Sequence, residues 1–329
     1  MACIREINEE LEKSILSPMA FKTSDSAGRM RSEEKCSIRG DFARDRDRII
    51  HSKSFRRLKH KTQVFISTDN DHFRTRLTHT LEVSQIARTV ARALRLNENL
   101  VEAISMGHDL GHTPFGHSGE RALDSLNPRG FKHYEQSLRV TDIIERDGRG
   151  MNLTAEVRDG IVNHTGSNMP KTQEGIVVKF ADRFAYINHD IDDAIRAGVI
   201  KESDLPAEQV ESLGKTNSER IDTLIKDIIN ASIKNEKVCM TLSTEKQMLL
   251  LRQFMFDAVY TKHAVRDYQS YMVIEKLYGY FRSNPDKLPE EYKKLLNNWD
   301  TDTVVCDYIS GMTDNYCVSL FEKLFMPIV

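Results

Sequence analysis

The segment HDLGHTPFGHSGERALDSLNPRGFKH, residues 108–133, holds four histidines in one short stretch of the chain. Together with His79, five of the eleven histidines of the 329-residue chain fall in this region. The first His-Asp pair is followed by three helix-breaking residues, Gly111, Pro114 and Gly116. They predict a tight turn that presents the histidines together. Clustering of this kind indicates a metal or catalytic site.

Helical periodicity dominates on both sides of this segment, as in the helix predicted over 77–96 with its apolar stripe through Val83, Ile86 and Val90. We therefore expect an all-α fold with a helical core and an additional C-terminal helical layer. At most a small β-hairpin is expected, formed by Gln63–Ser67 and Val238–Leu242. The expected organisation is an N-terminal arm (1–38), a core (39–200) and a C-terminal helical part (201–329), interpreted as one compact domain.

Two inward-facing histidines and a carboxylate predict a metal site. His79 continues the apolar stripe of its helix, and His108 extends a second stripe, so both imidazoles are expected to point inward beside Asp109. Mixed imidazole and carboxylate ligation suits one divalent ion such as manganese, iron, magnesium or zinc. The alternative is that both are hydrogen-bonded core histidines, but the three further histidines nearby favour the metal.

The predicted helix 174–197 offers four candidates for a fourth ligand: Asp182, Asp190, Asp192 and Asp193. Spacing does not choose among them. Asp190 shares a helical face with Lys179, Arg183 and Tyr186, which would align a metal ligand with anion-binding groups. The alternative is a solvated helix face.

The remaining histidines suggest acid–base chemistry. His117 and Glu120 lie three residues apart at the start of a predicted helix, so the carboxylate could orient the imidazole for proton transfer. His112 lies in the predicted turn beside the metal. His133 precedes another helix and is a candidate proton donor or phosphate contact, with a surface histidine as the alternative.

Composition limits the other possibilities. The formal net charge is −2, and the five cysteines form no CxxC pair, which argues against a thiolate zinc site. No stretch approaches the ~20 apolar residues of a membrane span, and the N-terminus lacks a signal-peptide pattern, so we expect a cytoplasmic protein without a membrane partner. Residues 39–61 contain nine basic residues and three aspartates, a pattern that predicts an anion contact.

Several longer segments resemble the bacterial deoxyguanosinetriphosphate triphosphohydrolase-like proteins of the HD superfamily: RDRDRIIHSKSFRRLKHKTQVF, RTRLTHTLEVSQIAR, GHDLGHTPFGHSGE, ADRFAYINHDIDDA and DYISGMTDNY. The resemblance implies a helical HD core and hydrolysis of deoxynucleoside triphosphates to deoxynucleoside and inorganic triphosphate. It also implies a homo-oligomer and suggests that a nucleotide activator or single-stranded DNA regulates the protein.

The resemblance also carries residue roles. It implies metal ligation by His79, His108, Asp109 and Asp190. Catalytic or phosphate-contacting roles fall on His117, Glu120, His112 and His133. The resemblance implies substrate contacts by Gln63 and Arg76, and the position on the predicted helix adds Lys179, Arg183 and Tyr186 as substrate contacts. The segment DYISGMTDNY resembles a tail segment of the family, and no residue role is assigned to it.

Three alternatives remain open. Another HD phosphohydrolase would act on a nucleoside monophosphate, a cyclic nucleotide or guanosine tetraphosphate. A zinc protease helix is a poor match, because Asp109 stands where that motif requires glutamate, and Gly111 and Pro114 break the helix. A helical nucleic-acid-binding protein would use the basic stretch 39–61, and its affinity would fall with salt.

Overall fold

A computed structural model describes residues 2–63, 73–259 and 264–327, with the backbone alone described at 264–266. In these residues the chain is helical, with only two isolated β-bridges, Arg29 to Thr154 and Thr62 to Thr75. The expected all-α class is confirmed. Within the described ranges, no helix is both long enough and apolar enough to cross a bilayer.

The expected strand Val238–Leu242 is wrong. This segment is an extended connection whose amides are satisfied by side chains: Val238 N–H donates to Gln173 Oε1 at 2.7 Å, and Cys239 N–H donates to Ser232 Oγ at 3.1 Å. A helix already begins at Leu242. Most of the proposed partner strand, residues 64–67, lies outside the described residues.

The α-helices follow one another through the described parts of the chain. They are α1 (Ile4–Ile15), α2 (Asp41–Ile50), α3 (Lys53–Arg57), α4 (Arg76–Leu94), α5 (Glu98–Gly107), α6 (Gly116–Leu126), α7 (His133–Arg139), α8 (Glu145–Gly148), α9 (Ala155–Asn163), α10 (Gln173–Arg196), α11 (Ala207–Leu213), α12 (Asn217–Asn235), α13 (Leu242–Ala258), α14 (Ala264–Ser283), α15 (Glu290–Lys293), α16 (Thr301–Ser310) and α17 (Asp314–Phe325). A π-helical stretch, Val140–Ile144, follows α7.

The chain forms two compact units whose segments alternate along the sequence. The first unit comprises Met1–Asp47, His79–Met106 and Thr154–His263. The second unit comprises Arg48–Thr78, Gly107–Leu153 and Ala264–Val329. These boundaries differ from those expected after residues 38 and 200. The expected division into arm, core and C-terminal part stays a prediction.

Helix α10 organises the first unit. It packs against α9, α12 and α13, and its apolar face is fully buried through Val177, Phe184 and Ile191. Close helix approach depends on Gly160 of α9, where a Cβ atom would lie 2.4 Å from Ile104 Cδ1. The aspartates of α10 are therefore presented from a rigid, packed helix.

Helix α14 organises the second unit. It packs against α6, α16 and α17, around a core that includes Leu123, Ile274, Leu277 and Ile309. Full burial of one such aliphatic side chain stabilises the fold by roughly 1.5–3 kcal/mol. This core supports α6, which begins directly after the turn that holds the histidines.

Candidate functional site

In the second unit, residues 108–117 form the histidine loop, which runs from the end of α5 into α6. Two consecutive residues in this loop have left-handed backbone conformations, Phe115 with φ 61° and Gly116 with φ 58°. Such conformations suit glycine and are uncommon for a bulky residue. The turn is closed by Thr113 Oγ1, which donates a hydrogen bond of 2.9 Å to Gly116 O. The glycine and proline pattern therefore produces the predicted tight turn.

The histidine loop is held against α7 by one hydroxyl. Ser137 Oγ donates to His108 O at 2.6 Å and accepts from Gly111 N–H at 2.9 Å. Gly111 allows this approach, since a Cβ atom there would lie 2.1 Å from Ser137 N. The position of the loop thus depends on a residue without a side chain.

Three histidine rings meet in this region. The His112 ring stacks on His133 with centroids 4.8 Å apart and meets His117 edge-on at 5.5 Å. Burial, followed by the nearby Arg76, lowers the pKa of His112 well below its ordinary value. Neither ring nitrogen of His112 has a hydrogen-bond partner in the part of the chain that the structure describes. A buried neutral imidazole of this kind is suited to meeting a ligand.

Glu120 joins the other two histidines. Its Oε1 lies 2.9 Å from His133 Nδ1, and its Oε2 lies 3.5 Å from His117 Nδ1. Burial opposes ionisation of Glu120, but hydrogen bonds from His117 and His133 outweigh it and lower the pKa of this carboxyl. Burial likewise opposes charge on His133, and Glu120 outweighs it and raises the pKa of His133. The structure therefore brings together the predicted pair His117 and Glu120, with His117 exposed and Glu120 held ionised.

Arg76 forms a buried ion pair in the same unit. Its Nη1 donates to Asp109 Oδ2 at 2.9 Å, while Nε and Nη2 donate to Thr62 O at 3.3 Å and Gln63 O at 3.2 Å. His108 Nε2 lies 3.6 Å from the same Asp109 oxygen. The ligand atoms of Asp109, His112 and His133 lie within 4.8 Å of one another, a spacing that suits a cation.

In the first unit, His79 of α4 faces α10. His79 Nε2 lies 3.0 Å from Asp182 Oδ1, and the His79 ring meets the His189 ring edge-on at 6.2 Å. His79 is fully buried and Asp182 is largely buried. Asp190 is also buried, further along α10. Of the four candidate aspartates, Asp182 is the one that the structure brings to His79.

The other predicted contacts on α10 differ from one another. Lys179 Nζ donates to four backbone carbonyl oxygens at 2.7–3.2 Å, those of Asn163, Thr165, Gly166 and Asn168. This ammonium therefore closes the turn after α9. The Arg183 guanidinium lies 5.9 Å from the centre of the Phe180 ring. Burial raises the pKa of Tyr186 to about 12, which keeps its phenol neutral and able to donate a hydrogen bond. The geometry gives the predicted substrate contact of Lys179 no support.

Much of the basic stretch 39–61 is paired with carboxylates. Arg39 donates to Asp47 at 2.6 Å, and Arg46 donates to Glu102 at 3.0 Å. Lys61 is fully buried rather than exposed. These pairs neutralise charge that a nucleic-acid surface would need.

The chain matches two known protein families. The HD domain family matches residues 76–187, and the family described as Phosphohydrolase-associated domain matches residues 238–323. The HD match includes Asp182 and ends three residues before Asp190. The chain is also similar over nearly its full length to bacterial proteins that bear one common name, Deoxyguanosinetriphosphate triphosphohydrolase-like protein.

A relative from Caldanaerobacter subterraneus subsp. tengcongensis is 55% identical over 326 residues, which cover 98% of this chain and 96% of the relative. Relatives from Clostridium perfringens and Clostridium tetani are 50% and 48% identical, with coverage of 98% of this chain and 98% and 97% of their own lengths.

Proposed function

Because the chain belongs to the deoxyguanosinetriphosphate triphosphohydrolase-like family of HD-domain proteins, we propose that it hydrolyses deoxynucleoside triphosphates to deoxynucleoside and inorganic triphosphate. The family and the HD domain support a metal-dependent phosphohydrolase; the substrate class and the products are the proposed part. The observation that carries the proposal is the joint contact of Glu120 with His117 and His133, which supplies an exposed imidazole beside an ionised carboxylate.

Four side chains are proposed to hold one divalent cation: His79, His108, Asp109 and Asp182. The donor set of imidazoles and carboxylates fits manganese, iron, magnesium or zinc. Asp182 replaces Asp190 in this proposal because it lies 3.0 Å from His79 and because the HD match includes it. When bound, the cation would polarise a phosphate oxygen and lower the pKa of a water ligand.

His117 and Glu120 are proposed to move the proton that cleavage requires. Release of triphosphate needs attack of water at the α-phosphorus and departure of the 5′ oxygen, which leaves as an alcohol once protonated. His117 is exposed and can reach a substrate, while Glu120 orients its ring through Nδ1. General acid catalysis of this kind contributes roughly 10²–10⁴-fold to a rate.

The polyphosphate is proposed to lie against the buried histidines and Arg76. The His112 ring of the histidine loop stacks on the His133 ring, and Arg76 is positioned by its ion pair with Asp109. Gln63 is a proposed sugar contact: its Oε1 is buried and has no hydrogen-bond partner within the described residues. Arg183 and Tyr186 remain proposed substrate contacts. A homo-oligomer is also proposed, as is regulation by a nucleotide activator or by single-stranded DNA.

Product analysis tests this function. The purified protein would be incubated with each deoxynucleoside triphosphate plus manganese or magnesium, and nucleoside and polyphosphate products separated by chromatography. The proposal expects deoxynucleoside and triphosphate in equal amounts. Orthophosphate, pyrophosphate or a linear nucleotide as first product would instead identify another HD phosphohydrolase.

A further inference from the structure

The segment DYISGMTDNY, residues 307–316, forms the junction between α16 and α17, and we refer to it as the tail motif. It lies within the match to the Phosphohydrolase-associated domain. Its Asp314 is buried in the second unit and uses both carboxylate oxygens. Oδ1 accepts Phe115 N–H at 3.0 Å, and Oδ2 accepts Thr62 N–H at 3.0 Å. One side chain of the tail motif therefore binds the backbone at two places.

The first of these places is the strained turn of the histidine loop. Phe115 adopts φ 61° and ψ 24°, a left-handed conformation that a bulky residue keeps only when its surroundings impose it. Two contacts impose it here: the Phe115 ring is buried in the core of the second unit, and Asp314 accepts its N–H. His117 follows two residues later, in the first turn of α6. Relaxation of Phe115 would therefore displace His117 and its partner Glu120.

The second place leads to the Arg76–Asp109 ion pair. Thr62, whose N–H donates to Asp314, accepts through its own carbonyl oxygen from Arg76 Nε. Arg76 in turn donates to Asp109. A chain of hydrogen bonds within the second unit thus joins the tail motif to the carboxylate that follows His108.

A buried lysine makes a parallel connection. Lys61 Nζ donates to Ser310 O at 2.6 Å and also to His112 O. Ser310 is the last residue of α16, so this contact again joins the tail motif to the histidine loop. The two connections hold the histidine loop at two points, His112 and Phe115.

We propose that Asp314 is a positioning residue for the reaction: it holds the histidine loop and the Thr62–Gln63 backbone in the arrangement that directs His117 and Arg76 at the substrate. This inference rests on the proposed function for its kinetic consequences. It assigns the tail motif a role, and it gives a physical reason for the Phosphohydrolase-associated domain to accompany the HD domain in this chain. A purely structural role for Asp314 at the start of α17 would affect stability without changing the loop.

The test compares Asp314→Ala and Asp314→Asn with a matched control, Asp300→Ala. Asp300 caps α16 by accepting Thr303 N–H at 2.9 Å, and its polar partners among the described residues are Thr303 and Arg129, neither of which lies in the histidine loop. Hydrogen–deuterium exchange of a peptide spanning 110–126 reports on the loop, and kcat and KM for deoxynucleoside triphosphates report on the reaction. Asp314→Asn can accept only one of the two N–H groups, so it is expected to fall between wild type and Asp314→Ala.

We expect faster exchange in the loop peptide of Asp314→Ala and a fall in kcat of about ten- to a hundred-fold with KM changed much less, because small misplacements of catalytic groups mainly affect the rate. Asp300→Ala should leave both readouts near wild type. Wild-type loop exchange in both Asp314 variants would overturn the inference. Should Asp314→Ala fail to fold, Asp314→Asn carries the same comparison.

The two hypotheses fail in different ways. If the wild type releases no triphosphate, the proposed function fails, and loop exchange in the variants still decides the positional role of Asp314. If the wild type releases triphosphate and both Asp314 variants keep its kcat and its loop exchange, the positional role fails alone.

Discussion

The Oδ1 atom of Asp182 in α10 lies 3.0 Å from the Nε2 atom of His79 in α4. Asp190 follows eight residues later on the same helix. At 1.5 Å rise per residue, the two aspartates are about 12 Å apart along the helix axis. Only one of the two aspartates can therefore bind the same metal ion as His79, and the contact favours Asp182.

Metal content should follow this contact. We expect Asp182→Asn to lose the bound ion, because an amide is a much weaker ligand than a carboxylate, while Asp190→Asn keeps it. Elemental analysis of each purified variant after dialysis against manganese measures the ion-to-protein ratio. Loss of metal in Asp190→Asn, with retention in Asp182→Asn, would restore Asp190 as the ligand.

Removal of His117 should separate catalysis from metal binding. We expect His117→Ala to lower kcat by about 10²–10⁴-fold, as is typical when a general acid is removed, and to leave metal content unchanged. His51→Ala is the control, since His51 is exposed and lies outside the histidine cluster. Steady-state kinetics at a saturating metal concentration measures kcat, and elemental analysis after dialysis measures metal content. Wild-type turnover in His117→Ala would remove this residue from the mechanism.

Gly111 and Gly279 offer a matched pair of glycine substitutions. A Cβ at Gly111 would lie 2.1 Å from Ser137 N and 2.6 Å from His133 O, and backbone atoms cannot move aside as a flexible side chain does. Gly111→Ala should therefore lower the free energy of unfolding by at least about 1–3 kcal/mol. Gly279 lies within α14, and among the described residues no atom beyond its chain neighbours and its own helix backbone lies within 4 Å of its Cβ position. Gly279→Ala should therefore raise the free energy of unfolding by roughly 0.5–1 kcal/mol. Urea denaturation measures both, and equal effects would contradict the close approach at Gly111.

Lys61 should make stability depend on pH. Burial lowers the pKa of Lys61 to about 7, whereas an unfolded chain restores a value of about 10.4. Between these values the unfolded chain binds a proton that the folded chain lacks, so the free energy of unfolding rises as pH increases from 7 towards 10. Each pKa unit is worth about 1.4 kcal/mol.

We expect Lys61→Met to remove this rise, because methionine does not titrate. Lys59→Met is the control, since Lys59 is exposed. Urea denaturation at pH 7 and pH 10 gives the difference between each variant and the wild type. A difference for Lys61→Met that does not change with pH would show that Lys61 titrates normally.

Local sequence patterns predicted much of the fold and part of the site. The helix predicted over 174–197 is confirmed, since α10 spans Gln173–Arg196. The contact of His117 with Glu120 follows from their spacing of three residues, which places both on one helix face. These features depend on neighbours in the chain, which periodicity reports directly.

Other features depend on contacts that periodicity does not report. Helical spacing places Asp182 and Asp190 on similar faces, so it could not choose between them. The hydrogen bond from Phe115 to Asp314 joins residues 199 positions apart, and nothing local marks it. At the expected strand from Val238, the backbone amides of Val238 and Cys239 donate to side chains of residues 173 and 232 instead of to a partner strand.

We propose that water attacks the α-phosphorus and that the triphosphate leaves whole. Hydrolysis of a deoxynucleoside triphosphate in water enriched with oxygen-18, followed by mass spectrometry of the products, tests it most directly. Our account predicts one heavy oxygen in the triphosphate and none in the deoxynucleoside. Heavy oxygen in the deoxynucleoside, or label in orthophosphate or pyrophosphate as a first product, would contradict it.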